Sequence, residues 1–127
     1  MPEGRGREGI AFIAFAPLGR GFLSGLISGP QDLPRADGRH RLPRFRPEAI
    51  GANQVIAGKV RSVAERLGAT AAQVAIAWVL AQGDHVGAIP GTKTLRHLEE
   101  NVAAGSLALP PDALAELDAL PEPVGAR

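Results

Sequence analysis

Two glycine-bearing turns carry the residue types that could hold an anion. Val86 to Ile89 has the apolar character of a short strand and feeds Pro90-Gly91-Thr92-Lys93, after which Leu95, Leu98 and Val102 give a helical stripe up to Gly105. Strand, tight turn and helix N-terminus together present unpaired backbone N–H groups and the positive end of a helix dipole, the usual setting for a phosphate. Lys93 adds a cation, although a helix start with a lysine is also a common surface feature. Earlier in the chain an apolar run is followed by Gly19, Gly21, Gly25 and Gly29, and glycine at that density lets backbone turn sharply or approach a ligand closely.

Other chemistry is thinly represented. Without cysteine there is no disulfide, thiolate zinc site, iron–sulfur cluster or cysteine nucleophile. His40, His85 and His97 are scattered without metal-ligand spacing, so no metal is expected. The sequence has no tyrosine. Arg35, Arg39, Arg41, Arg44 and Arg46 against Asp37 make a local charge of +4 (five arginines less one aspartate). Nucleic-acid binding by this loop would call for interleaved aromatic platforms, and only Phe45 is present, so a solvated loop is the better reading. The whole chain balances 14 basic against 13 acidic residues, with 45% hydrophobic and 21% charged, an ordinary globular composition. No stretch has the length of a signal peptide core or of the roughly 18 apolar residues of a membrane span, which predicts a cytoplasmic protein without membrane association.

Several elements must position these turns. Ile10 to Ala16 is a continuous apolar run closed by Pro17, as in a buried strand of a parallel sheet covered on both faces. Pro30, Pro34, Pro43 and Pro47 argue against a regular helix over residues 30–48. Ile56, Val60, Val63, Ala64 and Leu67 share a face, predicting a helix from about Asn53 to Leu67 that Gly68 stops. A second helix opens with Thr70, three residues before Gln73 in a capping-box pattern, and is apolar all round from Val74 to Ala81, with Trp78 assigned to the core. Leu107 to Leu109 leads through Pro110-Pro111 into a last helix carrying Leu114, Leu117 and Leu120, and the tail after Pro121 is expected to fray. The order β, loop, α, α, β, α, α makes the strands parallel with helical crossovers. Two strands cannot bury both faces of a sheet, so their neighbours must come from elsewhere.

The segment Phe15-Ala16-Pro17-Leu18-Gly19-Arg20-Gly21-Phe22-Leu23-Ser24-Gly25 resembles the strand-and-loop signature of aldo-keto reductases. Pro43-Arg44-Phe45, Ala72-Gln73-Val74-Ala75-Ile76-Ala77-Trp78, Ile89-Pro90-Gly91-Thr92-Lys93 and Leu98-Glu99-Glu100-Asn101 follow in the family's order, and the resemblance spans about residues 9–120. It implies an α/β fold, the C-terminal part of a (β/α)₈ TIM barrel, which typically has about 250 residues. The two strands would be its last two. Residues 1–8 read as a non-matching leader and 121–127 as a tail; the chain is about half the length of such a barrel and the six preceding strands have no counterpart, so the domain is expected to be partial and truncated.

By the same resemblance the chain would bind NADP(H), and a complete barrel would reduce a small aldehyde or ketone to an alcohol by hydride transfer. The family's catalytic tetrad is Asp, Tyr, Lys and His. With no tyrosine, and with Lys59, Lys93 and the three histidines in other places, no catalytic residue is assigned and the chain alone is not expected to turn over. Phe15 stands where an aromatic ring stacks on the nicotinamide, with a core phenylalanine as the alternative. Pro17, Leu18, Gly21 and Leu23 match the loop along the pyrophosphate, and Arg20 could add a charge-assisted bond or stay solvated. Ala16 replaces the more usual serine. Gly91, Thr92 and Lys93 match the turn around the adenosine 2′-phosphate, His97 replaces an Arg or Gln near it, and Glu100 and Asn101 match the adenine pair. Competing readings are a non-catalytic NADP-binding or partner-completing half barrel, a remnant without function, and nucleic-acid binding through the arginine loop. The open sheet edges predict self-association.

Overall fold

The computed structural model describes residues 7–17, 23 and 29–125. Strand β1 (Phe12–Phe15) pairs in parallel with β2 (Val86–Ile89), in the register Phe12 with Val86 through Phe15 with Ile89. Helices α1 (Pro47–Leu67) and α2 (Ala71–Leu80) lie between the strands in sequence, and α3 (Leu95–Ala103) and α4 (Pro111–Asp118) follow β2. Short 3₁₀ turns occupy Pro30–Asp32, Gly38–Arg41, Pro43–Phe45 and Ala104–Ser106.

The strand expected to be buried on both faces is covered on one. Phe12 and Ala14 are half-buried, whereas Ile13 and Phe15 are 56% and 75% exposed, and Ile89, in register with Phe15, is also exposed. Helices cover one face of this two-stranded sheet, and nothing among the described residues covers the other.

Helix α1 starts at Pro47, not near Asn53. The fourth proline of the loop is a helix start because position N1 has no intrahelical N–H partner to lose and favours the φ that proline imposes. Ala49, Ile50, Asn53, Ala57, Val60, Val63 and Ala64 are buried at helical spacing. Gly68 ends the helix in the left-handed region (φ 64°), and the Ala69 N–H closes onto the Ala64 carbonyl at 3.0 Å.

Helix α2 opens as expected: the Thr70 hydroxyl accepts from the Gln73 N–H at 3.1 Å, and the Gln73 carboxamide oxygen accepts from the Thr70 N–H at 3.0 Å. Val74 to Ala77 are buried. Trp78, assigned to the core, is half-buried, and its indole N–H donates to Asp118 Oδ1 at 2.8 Å. Two apolar clusters make the core. Leu33, Phe45, Ile50 and Ala57 form one, and Val60, Val63, Ala64, Val74, Ala113 and Leu117 form the other.

Two expectations about surfaces need correction. The α3 stripe exists, but Leu95, Leu98 and Val102 are 70%, 48% and 70% exposed and α3 contributes no buried residue. The tail does not fray where it is described: the Val124 N–H and carbonyl both bond to the Asn53 carboxamide, at 2.7 and 2.8 Å. Among the described residues no single helix is long and apolar enough to cross a membrane.

Candidate functional site

The parallel register sets Phe15 beside Ile89 at the C-terminal ends of β1 and β2, so the chain leaves both strands at one edge of the sheet. Ligand sites of parallel α/β folds sit at this edge. Residues 16–17 and 90–94 both leave the sheet there, so the described parts of the two expected phosphate turns start from the same edge.

Phe15 presents its ring to the open face, so it is no core phenylalanine within this chain. Ala16 follows with φ 48°, the only non-glycine residue at positive φ among those described. An alanine there is strained by about 1–2 kcal/mol, and such conformers persist where surroundings hold them. Pro17 is buried, and Leu23 is half-buried against the Phe45 cluster. Leu18, Arg20 and Gly21 lie outside the described residues.

Gly91, Thr92 and Lys93 are exposed. A Cβ on Gly91 would meet nothing within 4 Å, leaving room for a ligand to approach its backbone. The Thr92 hydroxyl accepts from the Thr94 N–H at 3.2 Å and donates to the Thr94 carbonyl at 3.3 Å, which shapes the turn. Thr94 is the N-cap of α3, and its side chain makes no cap bond. Negative charge is favoured at such an N-terminus by the helix dipole. His97 and Asn101 are half-buried on α3, and Glu99 is exposed. Glu100 does double duty: its carboxylate takes the Arg96 guanidinium at 3.2 Å, and its carbonyl accepts from Gln73 Nε2 at 3.1 Å, tying α3 to the start of α2.

Arg96 was missed by sequence reasoning. With Lys93 it puts a second cation close to the start of α3, and nothing in its spacing distinguishes it from a solvated helix arginine. The arginine loop is partly neutralised too, as Arg96 is by Glu100. Asp37 accepts from the Arg39 backbone N–H at 2.8 Å and from its guanidinium at 2.7 Å. The guanidinium bond, then the backbone bond, hold the Asp37 carboxyl down to about 2. Arg39 also stands 5.8 Å from the Phe45 ring centroid. Among the described residues no group of three His, Cys, Asp or Glu side chains could hold a metal ion.

Behind the strand ends lies a cavity of about 510 Å³, walled by α1, α2, the end of α4 and residues 120–123, and lined also by Ala16, Pro17 and Leu23. Asn53, on its wall, was also missed, because a single asparagine in an apolar stripe gives no signal until its partner 71 residues away is known.

The Aldo/keto reductase family profile matches residues 5–122. The chain is 42% identical over 95 residues to a Schizosaccharomyces pombe aldo-keto reductase, yakc, whose name specifies NADP(+), with 75% of this chain and 28% of that protein covered. It is 37% identical over 114 residues to the aldo-keto reductase str7 of Strobilurus tenacellus, covering 90% of this chain and 34% of that one. The chain thus spans about a third or less of the length of these curated relatives. A thermostable aldo-keto reductase crystallised with the inhibitor epalrestat superposes with a TM-score of 0.64 at 25% identity, over 92% of this chain and 32% of its own. Two parallel strands with their loops and helices are therefore an incomplete TIM barrel, and the chain belongs to the aldo/keto reductase family.

Proposed function

We propose that this chain is the NADP(H)-holding portion of an aldo-keto reductase barrel whose remaining strands come from outside these 127 residues. The observation that carries the reading is the parallel register, which aligns the ends of β1 and β2, so that residues 16–17 and 90–94 leave the sheet at one edge. Phe15 offers a flat exposed face for the nicotinamide. Pro17, Leu18, Arg20, Gly21 and Leu23 follow the pyrophosphate. Gly91, Thr92 and Lys93 receive the 2′-phosphate beside His97, and Glu100 and Asn101 receive the adenine. The bound cofactor supplies the hydride for reduction of a small aldehyde or ketone. With no tyrosine in the sequence, the proton for the new hydroxyl comes from a group outside this chain, and the chain alone does not turn over. The location proposed for it is the cytoplasm.

The test is titration with NADPH and NADH, followed by nicotinamide fluorescence. Lys93→Ala removes a charge-assisted contact of about 1.5–3 kcal/mol, so NADPH affinity should fall about tenfold or more while NADH affinity changes little. Equal losses for both cofactors would overturn the 2′-phosphate assignment.

A second reading is favoured by one observation, the exposure of Ile13, Phe15 and Ile89 on the sheet and of the apolar stripe on α3. A non-catalytic half barrel that another barrel part or a second copy completes would present such faces. Saturable NADPH binding without reductase activity after completion by the missing strands would support it.

A further inference from the structure

Asn53 is a polar side chain in the buried stripe of α1, only 2% exposed among Ala49, Ile50 and Ala57. Burying a carboxamide is unfavourable unless both its donor and its acceptor are satisfied. Here one distant residue satisfies both. Asn53 Nδ2 donates to the Val124 carbonyl at 2.8 Å, and Asn53 Oδ1 accepts from the Val124 N–H at 2.7 Å. A carboxamide does this because it carries donor and acceptor in one plane, as a peptide group does; aspartate lacks the donor and leucine lacks both.

The segment held this way is fixed at both ends. Asp118, at its start, accepts from the Trp78 indole at 2.8 Å. At its far end Gly125 sits at φ 70°, where a Cβ would stand 2.7 Å from the Arg44 backbone nitrogen and 2.8 Å from the Pro43 carbonyl carbon, so the tail closes tightly on the Pro43–Phe45 turn. Between these anchors Leu120, Pro121, Glu122 and Pro123 wall the 510 Å³ cavity that Ala16 and Pro17 also line. Ala16 is the residue held at positive φ.

We propose that Asn53 is a positioning residue, a latch that holds residues 120–125 as a strap across this cavity and thereby fixes the Ala16–Pro17 end of β1. The effect on cofactor affinity rests on the NADP(H) reading above; the effect on the strand end does not.

The experiment compares the full chain with Asn53→Ala, Val124→Pro, which removes the N–H that Asn53 receives, and the double variant. Asn53→Leu keeps the buried volume should the alanine variant fold poorly. Amide hydrogen exchange is read at Val124 in the Asn53 variants and at Ala16 in all, together with NADPH binding. The expected result is exchange about tenfold faster or more at both Val124 and Ala16 in Asn53→Ala, with NADPH affinity about tenfold weaker. In the double variant the effect on Ala16 should be no larger than in Asn53→Ala, which already removes both bonds to Val124. Faster exchange at Val124 with Ala16 and NADPH affinity unchanged would overturn the latch, as would additive effects. If the unaltered chain shows no saturable NADPH binding, the cofactor reading fails, and exchange at Ala16 alone decides the latch.

Discussion

Asp37 shows how a residue conspicuous for its charge takes a local role. Its carboxylate is engaged by the Arg39 guanidinium and backbone N–H, which pull its titration from 3.8 to about 2. A carboxyl whose folded pKa is depressed stabilises the fold fully above its ordinary value and loses that contribution as pH falls toward the folded one. Asp37→Asn should therefore melt below the unaltered chain at pH 6, and the two curves should converge between about pH 4 and pH 2 when followed by circular dichroism. A gap unchanged at pH 2 would show that the ion pair is not the cause. At Ala16 the strained backbone makes a sharper prediction: Ala16→Val adds a β-branched side chain to the strain that alanine already bears at φ 48° and should lower stability further in urea unfolding.

Among the elements, α2 was legible because its start signal is short-range. The Thr70–Gln73 capping box needs three residues of separation and no tertiary partner, and it formed as the pattern required. Thr70→Ala should destabilise by about 1 kcal/mol, measured by chemical denaturation. Gln73→Ala should exceed it, because Gln73 also bonds the Glu100 carbonyl and so ties α2 to α3. The start of α1 was misread for a related reason. Proline forbids a helix interior and favours its first turn, and nothing local to Pro47 distinguishes the two. The α3 stripe was legible as periodicity, but periodicity reports a face without saying what covers it.

For the whole molecule the uncovered faces decide behaviour. Ile13, Phe15 and Ile89 on the sheet and Leu95, Leu98 and Val102 on α3 expose apolar surface, and among the described residues the two-stranded sheet has open edges, conditions that favour association. Sedimentation velocity of the isolated chain should show mass rising with concentration. Ile13→Lys with Leu98→Lys should shift it toward monomer at unchanged helical content, since both side chains are about half exposed or more. A concentration-independent monomer in the unaltered chain would contradict the prediction.

Local rules acting over a few residues let the sequence by itself determine the Thr70–Gln73 cap, the glycine stop at Gly68 and the two strands with parallel crossovers. Family resemblance through those motifs pointed to the barrel and to the proposed cofactor, and the family profile and relatives bear out the family. Tertiary structure alone decided which faces are bare, that Phe15 points outward, and that Asn53 holds Val124 across 71 residues. The physical reason is range. A cap or a turn is closed by neighbours in the chain, whereas burial and a carboxamide's choice of partner depend on surfaces that meet only once the chain has folded.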